Sequence, residues 1–117
     1  MNLKASLAQD PQDLERLWIS RQRAGDVEGM VALYEPDAVL DHGGVQLAVG
    51  RDSIRRICAG LVASGRKFEL GDQQAAMVSG NLALTSTRAL NGTVTAEVAR
   101  RQSDGTWLWV IDRFSIA

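Results

Sequence analysis

The sequence predicts an α+β domain, three helices packed on a curved and mostly antiparallel sheet. Three observations predict it. Apolar residues recur at helical spacing through the first half of the chain, and the period falls to two in the second half. That second half is divided by Ser79-Gly80, Asn91-Gly92 and Asp104-Gly105, of which the last two are strong hairpin signals. A run of strands beside amphipathic helices must curl and hide one face against them.

Each element has its own warrant. Asp10 caps a first helix that Pro11 opens; Leu14, Leu17 and Trp18 share its apolar face, and Gly25 stops it. Asp26 caps a second helix with Val27, Met30, Val31 and Tyr34 on one stripe, and Pro36 ends it. Two short extended runs, 38–41 and 45–49, flank the turn His42-Gly43-Gly44. Asp52 or Ser53 starts a third helix, striped by Ile54, Ile57, Cys58, Leu61 and Val62 and closed by Gly65. The segments 67–78, 82–90, 93–102 and 106–116 then read as a four-strand meander.

Bulk properties narrow the function. The 117 residues fit one domain spanning 1–117, long enough to bury roughly two thirds of the unfolded surface. With 45% hydrophobic and 23% charged residues and a net charge of −1, no basic stripe offers itself to nucleic acid. No run approaches membrane-spanning length, and the N-terminus lacks the apolar core of a signal peptide. A single cysteine, Cys58, excludes an internal disulfide and suits a cytoplasmic location. One histidine, one cysteine and scattered carboxylates make no zinc site, and no phosphate-binding or dinucleotide motif is present. No cofactor is expected.

Registering the hairpins places the polar residues. With Ser103 opposite Thr106, Glu97 falls opposite Asp112; with Leu90 opposite Thr93, Ser86 falls opposite Glu97 and Arg88 lies diagonally from it. One face then carries Leu82, Leu84, Ser86, Arg88, Glu97, Leu108, Val110, Asp112 and Phe114. The other carries Val98, Trp107, Trp109 and Ile111. Two facing carboxylates destabilise a ladder unless they share a proton or a cation. Two readings stand: a site that keeps a carboxylic acid protonated near neutrality, or an ion cluster neutralised by Arg88. A one-residue bulge would separate Glu97 from Asp112.

The stretch RAGDVEGMVALYEPDAVLDHGG, the following GRDSIRRI and the closing RRQSDGTWLWVIDRF resemble the NTF2-like superfamily, in particular its SnoaL-like and ketosteroid-isomerase-like members. The resemblance covers nearly the whole chain. It implies a cystatin-like cone, a curved sheet wrapped round helices about a pocket, commonly dimerised through the outer sheet face. Compared with ketosteroid isomerase, it puts His42 at the general-base position, Glu97 at the protonated oxyanion-hole carboxyl and Trp18 in place of the oxyanion-hole phenol. Histidine at the base position is similar to the dehydratases and cyclases of the superfamily.

The expectation is a pocket for an apolar small molecule, with two function classes open. In the first, a cofactor-independent isomerase, dehydratase or cyclase, His42 takes a proton while Glu97, with Asp112 and Arg88, stabilises the developing oxyanion. In the second, the domain binds a ligand or assembles without catalysis. Trp18, Tyr34, Met30, Leu84, Ser86, Val110 and Phe114 are expected to line the pocket. Trp107, Trp109, Val98 and Ile111 are expected on a homodimer interface, burial within the monomer being the alternative for the two tryptophans. His42 has its own alternative, a polar residue opening a glycine turn.

Overall fold

The computed structural model describes residues 7–116. Helix α1 (Asp13–Arg23) begins later than the Asp10-Pro11 signal predicts, because those two residues make a turn of their own. The Asp13 amide donates to the Asp10 carbonyl at 2.9 Å. The Asp13 carboxylate reaches back to the amides of Gln9 and Asp10, at 3.1 and 3.0 Å. Helix α2 (Val27–Val31) has the expected cap, the Gly29 amide donating to Asp26 at 2.9 Å. It is shorter than its stripe suggests, and Tyr34 opens strand β1 (Tyr34–Asp41) instead. Pro36 is tolerated inside β1 because the pairing with the last strand shifts between Tyr34 and Val39, leaving a bulge that needs no N–H.

Strand β2 (Ala48–Val49) pairs back on β1, and helix α3 (Arg51–Ala63) follows, with Ile54 and Cys58 fully buried. The stretch 67–78, expected as one strand, is mostly irregular and yields only β3 (Asp72–Gln73) and β4 (Met77–Ser79). Strands β5 (Leu82–Thr85), β6 (Thr87–Arg88), β7 (Ala96–Arg101) and β8 (Trp107–Arg113) complete the chain. The main sheet runs β2-β1-β8-β7-β5-β4, antiparallel except for the parallel β1–β8 pair, while β3 and β6 form a separate ribbon. The expected α+β architecture stands: three helices against a mixed, mostly antiparallel sheet. Leu14, Met30, Tyr34, Leu40 and Ile54 pack with Trp109 in its core.

The register departs from expectation in an instructive way. Both hairpin loops contain one residue more than the two-residue turns predicted. The Gln102 amide donates to the Thr106 carbonyl (2.7 Å) and the Gly105 amide to the Gln102 carbonyl (2.9 Å); Ala89, Gly92 and Thr93 repeat the pattern. Gly105 and Gly92 take φ of +87° and +89°, as a type I turn closed by a glycine bulge requires. Each loop therefore slips its strands by one residue. Thr85, not Ser86, faces Glu97, and Ala99 faces Trp109.

In the last hairpin a bulge then absorbs Val110. The ladder resumes with Val98 opposite Ile111 and Glu97 opposite Asp112, the predicted carboxylate pair. The slip inverts the expected faces of β5, of β6 and of β8 before the bulge. Trp107 and Trp109, expected on an outer dimer surface, turn inward and are 7% and 1% exposed. Leu84, expected inside, lies outside opposite Val98 and is 48% exposed.

Candidate functional site

A cavity of about 330 Å³ lies between the inner face of β7 and β8 and the helices, closed at the side by residues 66–69 and 114–115. Its walls are aromatic. Trp18 sits on α1 with ring centroids 5.6 Å from Phe68 and 5.8 Å from Phe114, the latter edge-on, and Trp109 lines another side.

Four carboxyl groups line this cavity: that of Glu69, which is exposed, and three from three different elements. Glu97 of β7 and Asp112 of β8 are brought together by the ladder, 2% and 3% exposed. Glu15 comes from α1, where it precedes Trp18 and Ile19 by three and four residues and so shares their buried face. Asp112 Oδ2 accepts a 2.6 Å hydrogen bond from the Tyr34 hydroxyl, and Glu97 Oε1 one of 2.8 Å from Thr85. Glu97 Oε2 is buried with no hydrogen-bond partner, as are the indole N–H groups of Trp18 and Trp109.

Burial and mutual repulsion dominate the electrostatics. Burial, with the negative charge of Glu97, pushes the Glu15 carboxyl up to about 8. Burial raises Glu97 against the opposing hydroxyls of Thr95 and Thr85. Burial and the neighbouring Glu97 push Asp112 well above the carboxylate range, although the Tyr34 hydroxyl favours its charged form. Among the described residues, no arginine or lysine forms a salt bridge with these three groups. Such a cluster titrates as a unit and holds protons near neutral pH. Tyr34 is pushed up for the same reasons, burial first and then Asp112, so it serves as a neutral donor.

Of the residues expected at the site, His42, Glu97, Asp112, Trp18 and Phe114 all line the cavity. Gly44 packs close beside the imidazole, where a Cβ would stand 2.5 Å from His42 Cε1. Tyr34 is fully buried and reaches the site only through Asp112.

Arg88 is not there. The one-residue slip turns Thr87 inward, 3% exposed, and leaves Arg88 exposed on β6, paired with Asp72 and bridged to Val94. Met30 is completely buried in the core and is not on the lining of this cavity. Ser86 sits at the break between β5 and β6 and donates to the Thr95 carbonyl at 2.7 Å, and Val110 occupies the bulge. Neither lines the cavity. Val98 and Ile111 do lie on the outer face, beside Leu84 and Leu47, around a shallow groove of about 300 Å³.

Glu15 escaped the sequence reading, though its signal was present: a carboxylate on the stripe that carries Trp18, Ile19 and Gln22. Arg66, Phe68 and Glu69 also line the cavity from a segment expected to be strand. Among the described residues no group of three His, Cys, Asp or Glu side chains is arranged to hold a metal ion, and no helix is long and apolar enough to cross a membrane.

A profile of the SnoaL-like domain family matches residues 16–117. No curated protein matches the sequence. Among solved structures, a candidate calcium/calmodulin-dependent protein kinase type II association domain from Thiobacillus denitrificans superposes with a TM-score of 0.74 at 15% identity, covering 92% of this chain and 94% of its own. A candidate dehydratase of the NTF2-like family from Streptomyces avermitilis gives 0.68 at 21%, covering 86% and 88%. A ketosteroid isomerase-like protein from Erwinia carotovora atroseptica gives 0.65 at 18%, covering 91% and 93%. At these identities the likeness is one of fold.

Proposed function

Because the chain belongs to the SnoaL-like domain family, we propose that it is a small-molecule pocket protein that moves a proton on an apolar carbonyl compound, in an isomerisation, dehydration or cyclisation. The observation that carries this reading is the Glu97–Asp112 pair on the wall of an aromatic cavity, with no salt bridge to either among the described residues. A pair that shares a proton offers a neutral carboxylic acid to a carbonyl oxygen, and stabilises the oxyanion that grows there. His42 is the proton acceptor, since it borders the same cavity and a neutral imidazole carries one nitrogen that accepts a proton. Arg88 has no part in it.

The neighbours described as a candidate dehydratase and as ketosteroid isomerase-like agree with this chemistry. The test needs no known substrate: proton–deuterium exchange α to the carbonyl of decalone, followed by NMR in deuterated water. Exchange that the wild type accelerates, and that His42→Ala and Glu97→Gln each abolish, supports the assignment. An unaccelerated wild type, or exchange untouched by both substitutions, removes it.

An assembly role is favoured by a different observation. The outer sheet face exposes Met77, Leu82, Leu84 and Ile111, at 44–70% each, as a covered homodimer interface requires. One neighbour is described as a candidate association domain. Sedimentation equilibrium tests it: a dimer that Ile111→Glu converts to monomer fits, and a monomeric wild type does not. The buried thiol of Cys58 suits a reducing cytoplasm.

A further inference from the structure

Three carboxyls are more than proton donation needs. The Glu97–Asp112 pair accounts for one shared proton, which leaves Glu15 without a role in that chemistry. Glu15 lines the same cavity from α1, three residues before Trp18, whose indole meets Phe68 at a tilt and Phe114 edge to face. Glu97, itself 2% exposed, presents an oxygen with no hydrogen-bond partner.

We infer that the cavity receives a ligand carrying a protonated amine on an apolar body, the ammonium seated against Glu15 and the unpartnered Glu97 oxygen while the Glu97–Asp112 pair keeps its shared proton, and the body against Trp18, Phe68 and Phe114. The inference rests on the reading above that this cavity is the substrate site, and it narrows that substrate to a carbonyl compound that also carries a basic nitrogen.

The physical case has two parts. Buried carboxylates that lack a cation hold on to protons, and a ligand that supplies the cation releases them. Aromatic faces attract an organic ammonium ion and shelter its hydrocarbon at the same time. The other ionisable groups on the lining are His42, Arg66 and Glu69. Arg66 is exposed, and its guanidinium lies over the Phe68 ring at 4.7 Å. Tyr34 and Cys58 stand behind Asp112 as neutral groups at neutral pH.

The pH dependence separates the two ligand types. An ammonium ion binds ionised Glu15, so its affinity rises as pH climbs toward the titration of that carboxyl at about 8, with protons released on binding below that pH. A neutral ketone accepts a hydrogen bond from the protonated cluster, so its affinity falls over the same range.

The test compares decalone with decahydronaphthylamine, which share a carbon skeleton, by calorimetry between about pH 6 and about pH 8. The amine is expected to bind about tenfold more tightly than the ketone at the upper end, the worth of one charge-assisted hydrogen bond, and to release protons in buffers of different ionisation enthalpy. Glu15→Gln is expected to remove that advantage while decalone binding persists. Should Glu15→Gln fail to fold, the wild-type pH slope and proton release still decide. Decalone binding with no preference for the amine overturns this inference and leaves the proton-transfer reading intact. If neither compound binds, both readings fall.

Discussion

Glu15 sets a measurable price on the cluster. Its carboxyl is raised from 4.5 to about 8, mainly by burial and then by Glu97. The folded chain therefore holds a proton there that the unfolded chain has lost between those two values. The sign follows directly: where the folded state binds more protons, stability falls as pH rises. At about 1.4 kcal/mol per unit the full shift amounts to roughly 5 kcal/mol, and partial solvent screening brings the expected loss to on the order of 3 kcal/mol. That is a large part of the roughly 5–15 kcal/mol that holds a domain folded. The carboxylates held low by their partners, Glu28 through Arg55, Asp41 through the Gly43 amide and Asp104 through Thr106, have given their full stabilisation above their ordinary values and contribute no slope here. Urea unfolding followed by the fluorescence of the buried Trp18, Trp107 and Trp109 measures the effect from about pH 5 to about pH 8.5 at constant ionic strength. The wild type is expected to lose stability steadily across that range. Glu15→Gln is expected to lessen the slope, the raised Glu97 and Asp112 keeping the remainder, and to exceed the wild type at its alkaline end. A wild-type curve that is level or rising, or a slope that Glu15→Gln leaves undiminished, refutes the reasoning.

Three further outcomes follow from single contacts. Tyr34→Phe removes the 2.6 Å donation to Asp112; the same urea titration is expected to show a loss of about 1–3 kcal/mol, as for a buried hydrogen bond to a carboxyl. Gly44→Ala drives a Cβ to within 2.5 Å of His42 Cε1, so the imidazole resonances of His42 are expected to move while the rest of the spectrum holds. Cys58 is buried, and its thiol is pushed up to about 12, chiefly by burial; thiol reagents are expected to label it only at the rate of unfolding, and rapid labelling of the native protein contradicts that placement.

The fold was legible because its signals are local. Helix stripes, the Asp26 cap and the glycine turns each depend on a few neighbouring residues, and the GD…LY…DHGG run tied them to a known architecture. The register was not legible in the same way. Asn91-Gly92 and Asp104-Gly105 mark a turn, but nothing local distinguishes a two-residue loop from a three-residue loop, and the difference of one residue exchanges the faces of a strand. Hence Arg88 was placed in the site and the paired tryptophans outside it, both wrongly. The Glu97–Asp112 pairing emerged correctly only because the longer loop and the Val110 bulge cancel. Tertiary packing sets that bulge, and short-range sequence does not reveal it. Glu15 was missed for a related reason: its stripe was visible, but only the fold brings that stripe over the sheet.

The arrangement also bears on whether the cluster serves structure or chemistry. A fold that needed only to fill this space could satisfy Tyr34 and Thr85 with amides, which accept the same hydroxyl donors without the cost of burying charge. Replacing Glu97 and Asp112 together by Gln and Asn keeps shape and both hydrogen bonds while removing the repulsion that raises Asp112 and Glu15. The double variant is expected to gain on the order of 1–4 kcal/mol over the wild type near pH 8, where the wild-type cluster is most charged, and much less near pH 5, where it is protonated. It is also expected to lose all exchange of the α protons of decalone. Gained stability with lost activity is the trade expected of a site strained for function. A double variant that is less stable than the wild type at pH 8 makes the carboxylates part of the scaffold, and the chemistry must then be sought elsewhere in the cavity.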